Sequence, residues 1–139
     1  MQKIYSSEFA SHLDKMGVKY TCHDNGKLFE INVRGDNLKN ISVLVFFIDD
    51  DYPYVHIRCY SIANFNGKKR AGIEVCNRLN EQYRWVKFYI AEEFNDDLMA
   101  TIDAEINVDT CGAECFNMVL RIVQVVDEVY PQIEKARWL

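Results

Sequence analysis

The sequence predicts an α+β domain, an antiparallel sheet with its helices mainly on one face. Three observations lead there. Segments with the two-residue alternation of strands follow one another through short turns, which suits hairpins rather than βαβ crossovers. Other segments carry the helical period of three and four. The cleanest strand sets Leu98, Ala100, Ile102, Ala104 and Ile106 against Met99, Thr101, Asp103, Glu105 and Asn107. It is apolar on one side only, so one sheet face carries helices and the other meets water or a partner.

The chain opens with a short amphipathic helix over about residues 6 to 16. Ser6 or Ser7 is its expected cap, and Glu8 in the first turn favours the helix dipole. Phe9, Leu13 and Met16 lie one above another on its apolar face, flanked by Ala10, and Gly17 is the expected stop. A hairpin follows. Val18, Tyr20 and Cys22 alternate with Lys19, Thr21 and His23, and Asp24-Asn25-Gly26 supplies the positive-φ residues of a tight turn. The return strand points Phe29, Ile31 and Val33 inward, and Arg34-Gly35-Asp36-Asn37 forms a second turn. Residues 41 to 48 are apolar on both faces, the mark of a central strand, and Asp49-Asp50-Asp51 ends them.

Tyr54 to Tyr60 is the fourth strand, with Val55, Ile57 and Cys59 on one face. Pro53 before it is tolerated at a strand's first residue. A second helix runs from Asn64 or Asn66 to about Asn80. Ile73, Cys76 and Asn80 share one side of it, and Val75 and Leu79 a neighbouring one. Gly72 within it costs about 1 kcal/mol relative to alanine, which a close helix–sheet contact would explain. Val86, Phe88 and Ile90 alternate with Trp85, Lys87 and Tyr89, and a turn at Asn95-Asp96-Asp97 leads into the last strand. Asp109 or Thr110 caps a long final helix, whose polar stripe is Asn117, Arg121, Gln124 and Glu128. Nearly every position outside that stripe is apolar, so this helix needs cover on two sides. The sheet is one cover; a second copy, a bound peptide or the tail with Ile133, Trp138 and Leu139 is the other. After Pro131 the tail is either a kinked continuation or a new short helix. The order is α-β-β-β-β-α-β-β-α. No linker divides the chain, so residues 1–139 read as one domain.

A length of 139 residues suits one core. A net charge of −5 and only short basic clusters argue against nucleic acid. The opening MQKIYSSEF has no signal-peptide run, and Arg121 interrupts the most apolar helix, so the expectation is a cytoplasmic protein with no membrane span. An odd count of five cysteines fits reduced, buried thiols rather than a disulfide framework.

No catalytic motif stands out. Cys111 and Cys115, four apart on a helix, make at most half a zinc site. Cys22 and His23 are adjacent on a strand and point to opposite faces, so they form no dyad. Asp49, Asp50 and Asp51 lack the spacing of a calcium loop. Asp103 and Glu105, about 7 Å apart on one strand face, suit cross-strand pairing with Arg58 and Lys87 better than acid–base work. No cofactor, metal or catalytic residue is therefore assigned. The best interaction surface is the outer sheet face, where Tyr54, His56, Arg58 and Tyr60 lie near Trp85, Lys87 and Tyr89. Aromatics and arginine are enriched at protein contacts. A pocket between the last helix and the sheet, holding a small molecule or a small enzyme's substrate, is the alternative.

The chain resembles the YbjN family of small bacterial proteins. The resemblance is carried by FASHLDKMGVKY, by NRLNEQYRWVKFYI and by VVDEVYPQIEKA, in that order, over about residues 6 to 136. It implies a fold similar to the type III secretion chaperones, α+β homodimers that bind extended segments of partner proteins. It also implies a role in sensory-transduction regulation, and it brings no catalytic residues. The combined expectation is a non-enzymatic, homodimeric, protein- or peptide-binding domain, regulatory or chaperone-like.

Overall fold

The computed structural model describes residues 4–48 and 52–138; Asp49, Asp50, Asp51 and Leu139 fall outside them. Three helices, α1 (Ile4–Met16), α2 (Lys69–Gln82) and α3 (Cys111–Trp138), accompany six strands. The strands are β1 (Thr21–His23), β2 (Leu28–Val33), β3 (Ile41–Phe47), β4 (Tyr54–Asn64), β5 (Lys87–Ala91) and β6 (Asp97–Glu105). They form one antiparallel sheet in the order β1-β2-β3-β4-β6-β5. The α+β class and the element order agree with the sequence.

Alternation sorts the strands cleanly. Phe29, Ile31, Val43, Val45, Val55, Ile57, Ala100 and Phe88 are buried on the inner face, where Phe9 of α1 stacks edge-on against Phe29 at 5.1 Å. α3 lies over the middle of this face, against β3, β4 and β6. Its buried residues Cys111, Cys115, Val119, Ile122, Val126, Val129 and Ile133 repeat every three or four, as a helix seated on a sheet requires.

The wet stripe on α3 is as read: Asn117, Arg121, Gln124 and Glu128 are all exposed. Cover on its flanks comes from within the chain, where the sequence offered a second copy, a bound peptide or the tail. α1 flanks the first half, with His12 and Phe116 rings 5.4 Å apart. α2 flanks the second, where Tyr83 Oη donates to Glu128 at 3.0 Å and Lys68 Nζ to the Arg137 carbonyl at 2.5 Å. The tail is no separate element, because α3 runs through Pro131 to Trp138 and Ile133 is buried as part of it.

Proline breaks most helix interiors because it cannot donate to the carbonyl four residues back. Here that carbonyl belongs to Asp127, and Asn37 Nδ2 donates to it at 3.0 Å instead. The Asp127 carboxylate in turn accepts the backbone N–H of Asp36, Asn37 and Leu38 at 3.1, 2.8 and 2.9 Å. The β2–β3 turn is thus clamped to α3. At Gly35 the approach is so close that an added Cβ would meet Asp127 Oδ1 at 2.3 Å.

Several local expectations change. Ser6 and Ser7 lie inside α1, Glu8 is not in its first turn, and Met16 is exposed. β1 is only three residues long and wholly exposed. α2 starts at Lys69, and Ile73, on one side with Cys76 and Asn80 as expected, is half exposed. β4 continues past Tyr60 through a bulge between Cys59 and Ala63, with Ser61 at φ 56°. Gly72 does mark a close contact, since a Cβ there would lie 2.7 Å from Ile90 Cδ1 and 2.8 Å from Phe65 Cγ. Gly17 ends α1 at φ 71°, and the Asp24-Asn25-Gly26 turn has the positive φ angles expected of it.

Candidate protein-binding face

The outer sheet face is built by register. Arg58 lies opposite Leu44 on β3 and Thr101 on β6, and Thr101 lies opposite Lys87 on β5. One row on, His56 stands between Phe46 and Asp103, and beyond it Tyr54 faces Glu105. Tyr89 pairs with Met99. Tyr54, His56, Arg58, Lys87 and Tyr89 therefore share one surface. Tyr60 joins it at the bulge, its ring edge-on to Phe94 at 5.6 Å. Leu44, Phe46 and Leu28 extend the surface across β3 and β2, half-buried and outside the core cluster. No helix among the described residues covers this face.

Asp103 is the electrostatic hub. His56 Nδ1 and Arg58 Nη1 each approach its Oδ1 at 2.7 Å. Partial burial pushes the Asp103 carboxyl up, but these two hydrogen bonds and their charges outweigh it and hold the group below the usual carboxylate range. The Tyr89 hydroxyl is pushed up, first by burial; nearby Arg58 opposes this, while Glu93, Tyr60 and Asp103 add to it. A guanidinium fixed by a carboxylate among tyrosines is pre-ordered, with little side-chain entropy left to lose.

Trp85 stands at the border of this face. β5 begins at Lys87, two residues later, so Trp85 stands beyond the end of the ladder, 72% exposed. It walls a cleft of about 520 Å³ lined also by Ile102 to Glu105 of β6 and by Glu114, Asn117, Met118 and Arg121 of α3. That cleft is where the sequence placed its alternative pocket, between the last helix and the sheet.

Four of the five thiols are buried. Burial pushes Cys59 and Cys76 up to about 12 and Cys111 up to about 11, and raises Cys115 as well. Cys111 and Cys115 are fully buried, and no cluster of metal-ligating side chains occurs among the described residues. His23 pairs with Glu30 at 3.3 Å rather than with Cys22. The sequence missed Leu44 and Phe46 as surface residues, although the doubly apolar β3 was the signal. It also under-read Asp103, whose partners are His56 and Arg58 rather than Lys87.

A family model for YbjN, described as "Putative bacterial sensory transduction regulator", matches residues 7–134. No curated protein matches the sequence. Among solved structures the chain is similar to the E. coli protein YbjN, described as "a putative transcription regulator", with a TM-score of 0.64, 10% identity and 91% of each chain covered. It is also similar to the Yersinia pestis type III secretion chaperone SycH, solved in complex with a stable fragment of YscM2. There the TM-score is 0.56 at 15% identity, covering 88% of this chain and 96% of that one. The fold is thus of the type III secretion chaperone kind.

Proposed function

The chain belongs to the YbjN family, and from that premise we propose a non-enzymatic, homodimeric domain that binds a protein or peptide partner in a regulatory or chaperone-like role. The observation that carries this reading is the outer sheet face, where Tyr54, His56, Arg58, Tyr60 and Tyr89 stand, partly exposed, around a fixed carboxylate over the buried Met99 and Thr101. Arginine and tyrosine in a pre-ordered patch are the side chains that dominate protein contacts. The likeness to SycH, a fold that holds a protein fragment, supports a partner of the same class. Homodimerisation rests on the exposed apolar side chains Trp85 and Leu120 and not on an uncovered α3, whose flanks the chain covers itself. A cytoplasmic setting is part of the reading, since the described cysteines are all unpaired and no described helix is long and apolar enough to cross a membrane.

Crosslinking of the chain to its partners in the native host, mapped to residues, tests this. Crosslinks should cluster around Tyr54, Lys87 and Tyr89, and Arg58→Glu with Tyr89→Ala should cut capture about tenfold, the loss of about 1.4 kcal/mol. Crosslinks confined to α1 and α2 would overturn it. The second reading, a small-molecule or substrate pocket, has the cleft beside Trp85 in its favour, a volume within the usual ligand range. A saturable thermal shift with one metabolite, lost in Trp85→Ala, would favour that reading.

A further inference from the structure

The border of the sheet formed by β5 and the end of β6 is not uniform. β5 is the outer strand, and Phe88 and Ile90 turn their backbone groups outward from it. Asn80 of α2 seals that point: its Oδ1 accepts the Phe88 N–H at 2.7 Å and its Nδ2 donates to the Phe88 carbonyl at 2.9 Å. A side-chain amide thus stands in for a neighbouring strand, and β5 is blocked at Phe88.

β6 is not sealed in the same way. β5 stops pairing with it at Thr101, while β6 runs on to Glu105. Along an antiparallel strand the N–H and C=O of one residue point the same way, and alternate residues point to opposite sides. The Ile106 N–H donates to the Pro53 carbonyl, on the β4 side, at 2.8 Å. Ile102 and Ala104 therefore turn toward β4, and Asp103 and Glu105 turn their backbone groups to the open side. No described strand follows there. What does lie there is the cleft walled by Trp85 and α3.

We propose that the open edge of β6 at Asp103 and Glu105 takes up an extended segment of a partner protein as an added strand, with apolar and basic side chains alternating along it. This rests on the peptide-binding reading and specifies its mode. The chemistry of the occupant follows from the two sides of the edge. An added strand would place every second side chain beside Ile102 and Ala104, over Met118 and against Trp85, an apolar floor rimmed by Glu114, Asn117 and Arg121. The intervening side chains would lie beside Asp103 and Glu105; Glu105 makes no ion pair among the described residues, so it favours a cation. A second copy of the chain fits poorly. Two-fold antiparallel pairing of this stretch with itself would set these carboxylates against their own images, in a molecule already at −5.

The test uses the full chain and two blocked nine-residue peptides, one alternating lysine and valine, the other glutamate and valine. Hydrogen exchange is read residue by residue. The lysine peptide should slow exchange at the Asp103 and Glu105 amides by about tenfold or more at saturation, and the glutamate peptide should not. Glu105→Pro removes an outward N–H without touching the β4 ladder and should abolish the effect. Should that variant fold poorly by circular dichroism, Glu105→Lys keeps the N–H and should weaken binding about tenfold. Equal slowing by both peptides, or slowing confined to Thr21–His23, overturns the inference. Native-partner crosslinks on the outer face together with unchanged edge amides also overturn it, while leaving the broader peptide-binding reading standing.

Discussion

Asp127 and Pro131 of α3 form one polar unit with Asn37 of the β2–β3 turn. Three backbone N–H groups converge on one carboxylate, and a side-chain amide takes the carbonyl that proline leaves unpaired. An interior proline costs a helix about 3 kcal/mol, part of which is the orphaned carbonyl that Asn37 satisfies. Asn37→Ala should therefore destabilise the chain by about 1–2 kcal/mol, and by about 1 kcal/mol less when Pro131→Ala supplies its own N–H. Urea unfolding of the four proteins measures this; strictly additive effects would refute the substitution of one donor for the other. The same carboxyl makes stability depend on acid. Hydrogen bonds from the backbone of Leu38, then of Asn37 and Asp36, hold Asp127 below the usual carboxylate range against a small opposing effect of burial. Its contribution is complete above the unfolded value of about 3.9 and fades as pH falls through the lower folded value. Asp127→Asn should lower the melting temperature near neutral pH and flatten its decline below about pH 4. A parallel decline in both proteins would contradict that.

At the scale of elements, α2 is held to β5 by an exact fit at Gly72 and by the Asn80 amide. Gly72→Ala gains about 1 kcal/mol of helix propensity, yet its new methyl meets the root of the fully buried Phe65 ring, which cannot swing away. Overpacking of this kind costs about 1–3 kcal/mol, so the variant should be less stable by about 1 kcal/mol in denaturant. Asn80→Ala bares the Phe88 backbone on an outer strand, and light scattering should then show growth of mass with concentration that the parent chain lacks. The sequence made the helical period of α3 and the alternation of β6 legible, because both are set by neighbours a few residues apart. It could not show that Asn80 reaches a strand backbone eight residues on, nor that Ser61 bulges β4. Both depend on where the sheet ends and bends. The two-sided burial of α3 was legible as a need. Its partners were not, since a pattern of apolar residues states how much surface must be covered and not by what.

For the whole molecule, Trp85 and Leu120 are the large apolar groups left exposed beside the α3 stripe, 72% and 51% exposed. Burying a large apolar side chain gains about 1.5–3 kcal/mol, so a second copy seated over both would gain from the contact. Light scattering at micromolar concentration should give twice the chain mass, reverting to the single mass in Trp85→Ala with Leu120→Glu; a strictly monomeric parent chain sinks the dimer. The outer face was readable from Tyr54 to Tyr60 because strand alternation is local, whereas the place of Trp85 at its border was not, because the ladder of β5 ends before it. The clamp between the β2–β3 turn and α3 has one more consequence, which concerns time. It joins residues about ninety positions apart, as in Asn37 and Asp127. A turn that docks on a helix already seated on the sheet is expected to close after the folding barrier is crossed. Asn37→Ala should thus leave the refolding rate nearly unchanged and speed unfolding by roughly the whole of its stability loss, about five- to thirtyfold. The clamp sets how long the folded chain lasts, not how fast it is reached.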